Sequence, residues 1–464
     1  ENFGTLNKNI IHYILLEYIL FDGTRFLFMQ IFFRFLIKTP YFLSVIFFTV
    51  FFSHFALFSD LYGRELTEEE LKAREQIEEE KRETREESRR KAKAKENKKF
   101  EKLSVVFFTQ EKETPPALSN LDPILKDEGK YGTILGIEDN NTTGIFTGQE
   151  FDLKEVYVAI KENYIESFKQ LIAEGYKFFI VNLPAEKLIK IASLAESKNV
   201  LIFNTSASDN FLRQKSCSAN VFHVALSRAM KTDALAQFLV KKNWKKWKLI
   251  VGPKKADKLF AESVEMSAKK YGAKIIERKI WNLGPDMRRT AQAEVPAFTK
   301  GKKYDILFIA DEIGEFGEYL IYNTWYPNLI VGTQGLVPTA WHRTHEKWGA
   351  TQMQNRFRRK AGRWMTSVDY AGWVAARTIG EASARIKSID SMKIKNYILG
   401  EDFEIAAYKG VKVTYRKWNH QLRQRILLTA PRALVSVSPQ KEFLHKFSEM
   451  DTLGFDVSES ECKF

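Results

Sequence analysis

From Leu103 to about residue 334, short apolar runs rich in β-branched and aromatic residues alternate with longer amphipathic stretches. Repeated strand–helix–strand units of this length require parallel sheets with helices on both faces. The run is too long for one sheet, so the sequence predicts an α/β fold with two doubly wound lobes and a ligand site at the carboxyl ends of the strands. The predicted strands are 103–109, 151–158, 177–183, 199–205, 220–226, 247–252, 273–281, 304–311 and 328–334.

The length of 464 residues suits two or three domains. The chain contains only two cysteines, Cys217 and Cys462, which excludes a disulfide-dense scaffold and a zinc site built on four cysteines. The fold must therefore be held together by its apolar core.

The first hundred residues differ in character from the rest. Residues 1–28 precede the first methionine and are expected to lie outside the mature protein. Residues 29–60 begin with a short basic segment and continue into an 18-residue apolar run, which predicts a signal peptide or an uncleaved membrane anchor. A buried helix is the alternative. Residues 64–102 carry 14 basic and 13 acidic side chains with almost no apolar stripe, so we interpret them as a charged linker.

The net charge of +14 does not predict a nucleic-acid partner. Nearly all of the excess is spread over residues 103–464 and is not clustered on one helix or face, as nucleic-acid binding requires.

Familiar catalytic motifs are missing from the sequence. No G-x-G-x-x-G follows a strand, and no Walker loop, G-x-S-x-G elbow or H-E-x-x-H is present. His342 and His345, followed by Glu346, could share a helix face, but no third ligand stands at a recognisable spacing, so no metal and no cofactor are predicted. We expect binding without catalysis.

Several segments carry a resemblance to a known family. The order of elements, together with FNTSASDNFLR (203–213), SRAMKTDALAQFL (227–239) and KYDILFIADE (303–312), resembles the type I periplasmic binding proteins of branched-chain-amino-acid ABC transporters. The strings IEDNNTTG, DMRRTAQAEVPAFT and GTQGLVPTAWHRTHEKWGATQMQNRF are similar to the subfamily associated with pyrroloquinoline-quinone (PQQ)-dependent alcohol dehydrogenases. The likeness covers about residues 103–464.

This resemblance implies a division into two lobes joined by a three-strand hinge. Lobe 1 would comprise 103–222 plus 338–400, lobe 2 would comprise 223–337 plus 401–432, and 433–464 would form a C-terminal tail. It also implies a monomeric, periplasmic protein, soluble or tethered to the inner membrane by its N-terminal segment. Its partners would be a small-molecule ligand and an ABC permease.

The predicted ligand site lies on opposed strand-end loops. In amino-acid-binding relatives the loop after the fourth strand supplies amides and a hydroxyl, and Ala207 and Ser208 stand at the matching place here, although Ser206 and Ser208 could equally cap a helix. The relatives' earlier serine-bearing loop is replaced by Asn182-Leu183-Pro184, and their tyrosine-glycine pair by Leu259-Phe260. The complete predicted set is Asn204, Thr205, Ser206, Ala207, Ser208, Asp311, Glu312 and Gln334, with Tyr322 or Trp325 as an apolar wall.

Three functions follow from these observations. The first is an exported solute-binding protein of an ABC transporter, linked to PQQ-dependent alcohol oxidation. The second is a membrane-tethered sensor of the same fold, and the third is an enzyme on a two-lobed scaffold. An oxidising compartment would also permit a disulfide between Cys217 and Cys462.

Overall fold

A computed structural model describes residues 100–113, 124–194, 199–284 and 287–464, together with Glu79 and Arg82. The chain divides into two units, Glu1–Glu96 and Asn97–Phe464. In the first unit only Glu79 and Arg82 are described, and both are exposed helical residues. The predicted N-terminal extension, the signal or anchor segment and most of the charged linker lie outside the described residues. None of the described helices combines the length and the apolar character needed to cross a bilayer.

The first sheet of the second unit contains five parallel strands in the order β2-β1-β3-β4-β5. Both of its faces are covered, so successive residues of β1 are all buried: Val105 and Phe107 pack on one side, and Val106 and Phe108 on the other. We call this sheet and its helices lobe 1. Its elements are β1 (Glu101–Gln110), α1 (Lys130–Thr147), β2 (Gln149–Val158), α2 (Tyr164–Ala173), β3 (Phe178–Asn182), α3 (Ala185–Ala192), β4 (Leu201–Asn204) and β5 (Val221–His223).

The second sheet contains four parallel strands in the order β7-β6-β8-β9. We call it and its helices lobe 2. Helices α4 and α5 pack on the face that carries Trp247 and Leu249, and α6 packs on the face that carries Ile250. The elements are α4 (Arg228–Lys241), β6 (Lys246–Val251), α5 (Lys255–Tyr271), β7 (Lys274–Ile280), α6 (Ala291–Thr299), β8 (Ile306–Ala310), α7 (Gly317–Leu320) and β9 (Leu329–Gly332). The predicted fold class of two parallel-sheet lobes is confirmed.

Three further helices return the chain to lobe 1. They are α8 (Ala350–Ala361), α9 (Ser367–Ile386) and α10 (Ser391–Ile398). Helices α9 and α1 cross so closely that a Cβ added to Gly132 would lie 1.8 Å from the Asp369 carbonyl oxygen. A Cβ on Gly136 would lie 2.6 Å from that of Ala376. Only glycine permits this close crossing of α9, whose first residue is Ser367.

Short strands close the structure between the lobes. They are β10 (Val337–Thr339), β11 (Ile405–Ala406), β12 (Lys412–Tyr415), β13 (Leu422–Arg423), β14 (Ile426–Ala430) and β15 (Ala433–Ser438). Strands β10, β14 and β15 form one antiparallel sheet beside α4. Tyr415 of β12 contacts Phe222 of lobe 1 at 5.3 Å between ring centroids, so this part of 401–432 lies against lobe 1.

The C-terminal residues, predicted as a tail over 433–464, pack against the rest of the fold. The buried Arg416 guanidinium donates to the Asp451 carboxylate at 2.8 Å and to the Leu453 carbonyl at 2.7 Å. Arg423 donates to the same carboxylate at 2.8 Å. A disulfide joins Cys217 to Cys462, whose Cα atoms lie 5.5 Å apart. These contacts fix residues 449–462 against both lobe 1 and the connecting strands.

Candidate ligand-binding cleft

A cavity of about 700 Å³ lies between the carboxyl ends of the two sheets. We call it the interlobe cleft. Its walls come from the end of β9, from the residues that follow β3, β4, β8 and β9, and from the start of α5, namely 183–186, 206–209, 311–314, 332–334, 254–256, 259 and 260. Chain that leaves the carboxyl end of a parallel strand presents free backbone groups at a sheet edge, which is where doubly wound folds bind ligands.

Buried hydrogen bonds fix the conformation of the loop after β4. The buried Asn204 amide donates to the Ala207 carbonyl at 2.8 Å and accepts from the Ala207 N–H at 2.9 Å. The buried Arg213 guanidinium also donates to the Ala207 carbonyl, at 2.8 Å. Asn204 and Thr205 therefore support the loop, and Ser206, Ala207 and Ser208 line the cleft. The hydroxyl of Ser206 donates to the Leu183 carbonyl at 3.2 Å, so it does not cap a helix.

The predicted carboxylate Asp311 does line the cleft, but its oxygens are already occupied. They accept from the backbone N–H groups of Gly314, Glu315, Phe316 and Gly317 at 2.7–3.0 Å. Asp311 is 2% exposed. It fixes the turn that leads into α7, which is the capping role that a strand-end carboxylate can take. Gln334 donates to the Asp311 carbonyl at 3.3 Å and also lines the cleft.

The other predicted carboxylate, Glu312, is paired with Arg228. The Arg228 guanidinium contacts Glu312 at 2.6 Å and Asp209 at 2.6 Å, so it connects a loop of lobe 1 to a loop of lobe 2. Burial opposes the charge of Arg228, yet these two carboxylates hold its pKa above the ordinary value. Sequence reasoning missed Arg228; the only signal was its place in the first turn of a helix that follows a strand.

Asp257 lies beneath the lobe 2 wall of the cleft. Its carboxylate accepts from the Glu312 N–H at 2.7 Å and from the Lys254 N–H at 3.2 Å. Burial, together with the nearby charges of Asp311 and Glu312, raises the pKa of Asp257 to about 6 despite those hydrogen bonds. The side chain thus links the start of α5 to the strand-end loop of β8.

Three lysines complete the charged lining. Lys231 of α4 donates to the Ser208 hydroxyl at 3.0 Å, and burial lowers its pKa. Lys112 and Lys254 are exposed at the rim. An exposed ion pair between Lys255 of lobe 2 and Glu186 of lobe 1, at 2.9 Å, spans the mouth.

The remaining lining is apolar and differs from the wall we predicted. Tyr322 is 98% exposed and Trp325 is 48% exposed, and neither lines the cleft. Trp325 instead lies 4.5 Å from the Lys300 ammonium group. The apolar surface comes from Leu183, Pro184, Leu259, Phe260, Ile313, Val337 and Pro338. The first four belong to the two segments where the sequence departs from the resembled family.

The candidate metal ligands His342 and His345 have other partners. His342 Nδ1 lies 2.8 Å from the Thr344 hydroxyl, and His345 Nε2 lies 2.7 Å from the Tyr408 carbonyl. Within the described residues no group of three His, Cys, Asp or Glu side chains could hold a metal ion.

With this geometry established, the chain can be compared with known proteins. Residues 159–293 match a family model described as periplasmic binding protein. That match contains β3, β4 and β5 of lobe 1 and β6 and β7 of lobe 2. No curated protein sequence matches the chain.

Solved structures share the whole architecture. A branched-chain amino acid ABC transporter periplasmic ligand-binding protein from Burkholderia xenovorans has a TM-score of 0.60 and 13% identity, covering 78% of this chain and 99% of its own. A leucine-, isoleucine-, valine-, threonine- and alanine-binding protein from Brucella ovis, in a closed conformation, has a TM-score of 0.56 and 16% identity, covering 78% and 96%. The chain therefore has the type I periplasmic-binding-protein fold.

Proposed function

We propose that the chain is an exported solute-binding protein of an ABC transporter, which closes around a small molecule and delivers it to a permease. The observation that carries this proposal is the interlobe cleft: two parallel-sheet lobes present rigid strand-end loops to one cavity of about 700 Å³. Cavities of several hundred Å³ with a few fixed polar groups suit small-molecule ligands. The match to the periplasmic-binding-protein model supports the same function.

The proposal includes a location and a biological context. We place the protein in the periplasm as a monomer, soluble or held at the inner membrane by residues 29–60. The Cys217–Cys462 disulfide is compatible with that oxidising compartment. We further propose a link to PQQ-dependent alcohol oxidation, which rests on the resemblance of segments such as IEDNNTTG and DMRRTAQAEVPAFT. Binding without turnover fits a cleft whose carboxylates serve as caps and ion-pair partners.

A binding screen with a steric block tests the proposal. The full chain should be screened by thermal shift against alcohols, aldehydes, organic acids, amino acids and quinones. Ser208→Trp would fill the cleft and should abolish the stabilisation given by any hit. Ser193→Trp places the same side chain at the exposed far end of α3 and should leave it intact. Equal stabilisation of both variants, or chemical conversion of the hit by the protein alone, would refute the proposal.

A further inference from the structure

The carboxylates that line the interlobe cleft already have cationic or backbone N–H partners. Asp209 and Glu312 share the Arg228 guanidinium at 2.6 Å each. Asp311 accepts four backbone N–H groups and is 2% exposed. Glu186 pairs with Lys255 at the mouth. A ligand ammonium group would therefore meet carboxylates whose charge is already shared with Arg228, Lys255 or backbone N–H groups, which weakens their attraction for a further cation.

The cationic side chains of the cleft differ in whether a carboxylate lies next to them. Arg228 forms ion pairs with two carboxylates. Lys231 instead donates to the uncharged hydroxyl of Ser208, at 3.0 Å. Among the described residues no carboxylate lies within ion-pair distance of the Lys231 ammonium group, although Lys231 lines the cavity. A partly buried ammonium group without an anionic partner is an incomplete pair. A ligand anion placed beside Ser208 would complete it.

The apolar residues of the lining indicate what the uncharged part of the ligand is. Leu183 and Pro184 from lobe 1 face the same cavity as Leu259 and Phe260 from lobe 2. Such side chains favour an aliphatic or aromatic group, because each apolar contact removes surface from water on closure. The cleft therefore combines apolar walls and acidic groups that already have partners with a lysine that, among the described residues, has no carboxylate within ion-pair distance.

We infer that the cleft binds a small monocarboxylate with an apolar body and no ammonium group, and that the Lys231 ammonium group pairs with the ligand carboxylate. This inference rests on the proposed function and names its ligand class. Carboxylates are the fully oxidised products of primary alcohols, so this ligand class is chemically consistent with the proposed link to alcohol oxidation. It predicts weaker binding of free amino acids, because their ammonium group would meet only carboxylates that already share their charge with other partners.

A matched set of ligands tests the inference on the full chain. Titration calorimetry should compare 4-methylpentanoate with leucine, 4-methylpentanamide and 4-methylpentan-1-ol, and 3-phenylpropanoate with phenylalanine. Each acid shares its carbon skeleton with its amino acid. We expect an acid to bind at least about tenfold more tightly than its amino acid, amide and alcohol, since a charge-assisted contact contributes roughly 1.5–3 kcal/mol.

Charge variants assign the effect to one residue. Lys231→Met should reduce acid binding about tenfold or more, Lys231→Arg should retain most of it, and Lys269→Met, at the exposed far end of α5, should change it little. Urea unfolding of each variant separates lost binding from lost folding. Leucine binding as tightly as 4-methylpentanoate would overturn the inference while leaving a solute-binding function intact. The inference would also be overturned if neither acid binds, or if Lys231→Met binds the acids as tightly as the wild type does. The proposed function fails only if no compound class in the wider screen binds in the cleft.

Discussion

Acidification should unfold this protein partly through His420, which lies in the connection between β12 and β13. The imidazole is stacked between Phe222 and Phe464, at 4.9 and 4.3 Å between ring centroids, and Nδ1 lies 3.3 Å from the Val221 carbonyl. Burial lowers the pKa of His420 from its ordinary 6.5 to about 4, and the charge of Lys395 acts in the same direction. The folded protein therefore holds this ring neutral at a pH where the unfolded chain protonates it.

The magnitude and its pH window follow from these two values. Because the unfolded state binds the proton first, the stability contributed by His420 is present above pH 6.5 and falls as the pH drops toward 4. Since each pKa unit is worth about 1.4 kcal/mol, the loss is about 2 kcal/mol between pH 7 and pH 5 and roughly 3 kcal/mol below pH 4. The loss between pH 7 and pH 5 is the better one to measure, because most carboxylates titrate below about pH 5.

Urea unfolding of the wild type and His420→Asn at pH 7 and pH 5 measures this loss. Asparagine is chosen because His420 has a φ of 50°, a left-handed conformation that asparagine tolerates. The variant should be less stable at pH 7, since it lacks the ring stacking, but its stability should decline by about 2 kcal/mol less between pH 7 and pH 5. Other titrating groups, including Asp257, are common to both proteins and cancel in the difference. An equal decline in both proteins would refute the assignment.

Two further predictions concern the packing of the fold. Gly132→Ala should destabilise the protein by about 3 kcal/mol or more, because the added Cβ meets a carbonyl oxygen at 1.8 Å. Gly284→Ala is the control, since a Cβ there meets no described atom within 4 Å. It should change the free energy of unfolding by about 0.5 kcal/mol or less. Equal effects in calorimetric melting would contradict the close crossing of α1 and α9. Replacing Cys217 and Cys462 by serine removes a bridge across a sequence separation of 245 and should cost about 4 to 5 kcal/mol in urea unfolding. Two free thiols in the unreduced wild type would contradict that bridge.

The strand pattern of the sequence was sufficient to predict both sheets, because buried parallel strands carry continuous apolar runs that loops rarely imitate. Helix α1 was not singled out, since its glycines, asparagines and threonines have low helix propensity and suit a close helix crossing instead. The packing of the C-terminal residues was anticipated only through the Cys217–Cys462 disulfide. It depends on single long-range contacts, such as that of Arg416 with Asp451, which have no local sequence pattern.

The candidate site was only partly predictable from sequence. Strand-end position correctly brought Ser208, Asp311 and Gln334 to one cavity, because the topology of parallel sheets fixes where such residues lie. Strand-end position could not show that the Asp311 carboxylate already accepts hydrogen bonds from backbone N–H groups. Nor could it place Tyr322, whose side chain direction depends on a turn with a φ of 67°. Lys231 was missed because a basic residue within a helical stretch usually belongs to a solvated face.

The central claim is that the two lobes close around a bound solute, and an electron-spin distance measurement tests it most directly. Because the native cysteines are paired, Lys190→Cys on α3 and Lys258→Cys on α5 would supply exposed thiols for nitroxide labels on opposite lobes. Saturating ligand should shift the distance distribution to shorter values by more than about 2 Å. A pair within lobe 2, Lys258→Cys with Lys303→Cys, should not change. An unchanged interlobe distribution in the presence of a ligand proven to bind would contradict the account.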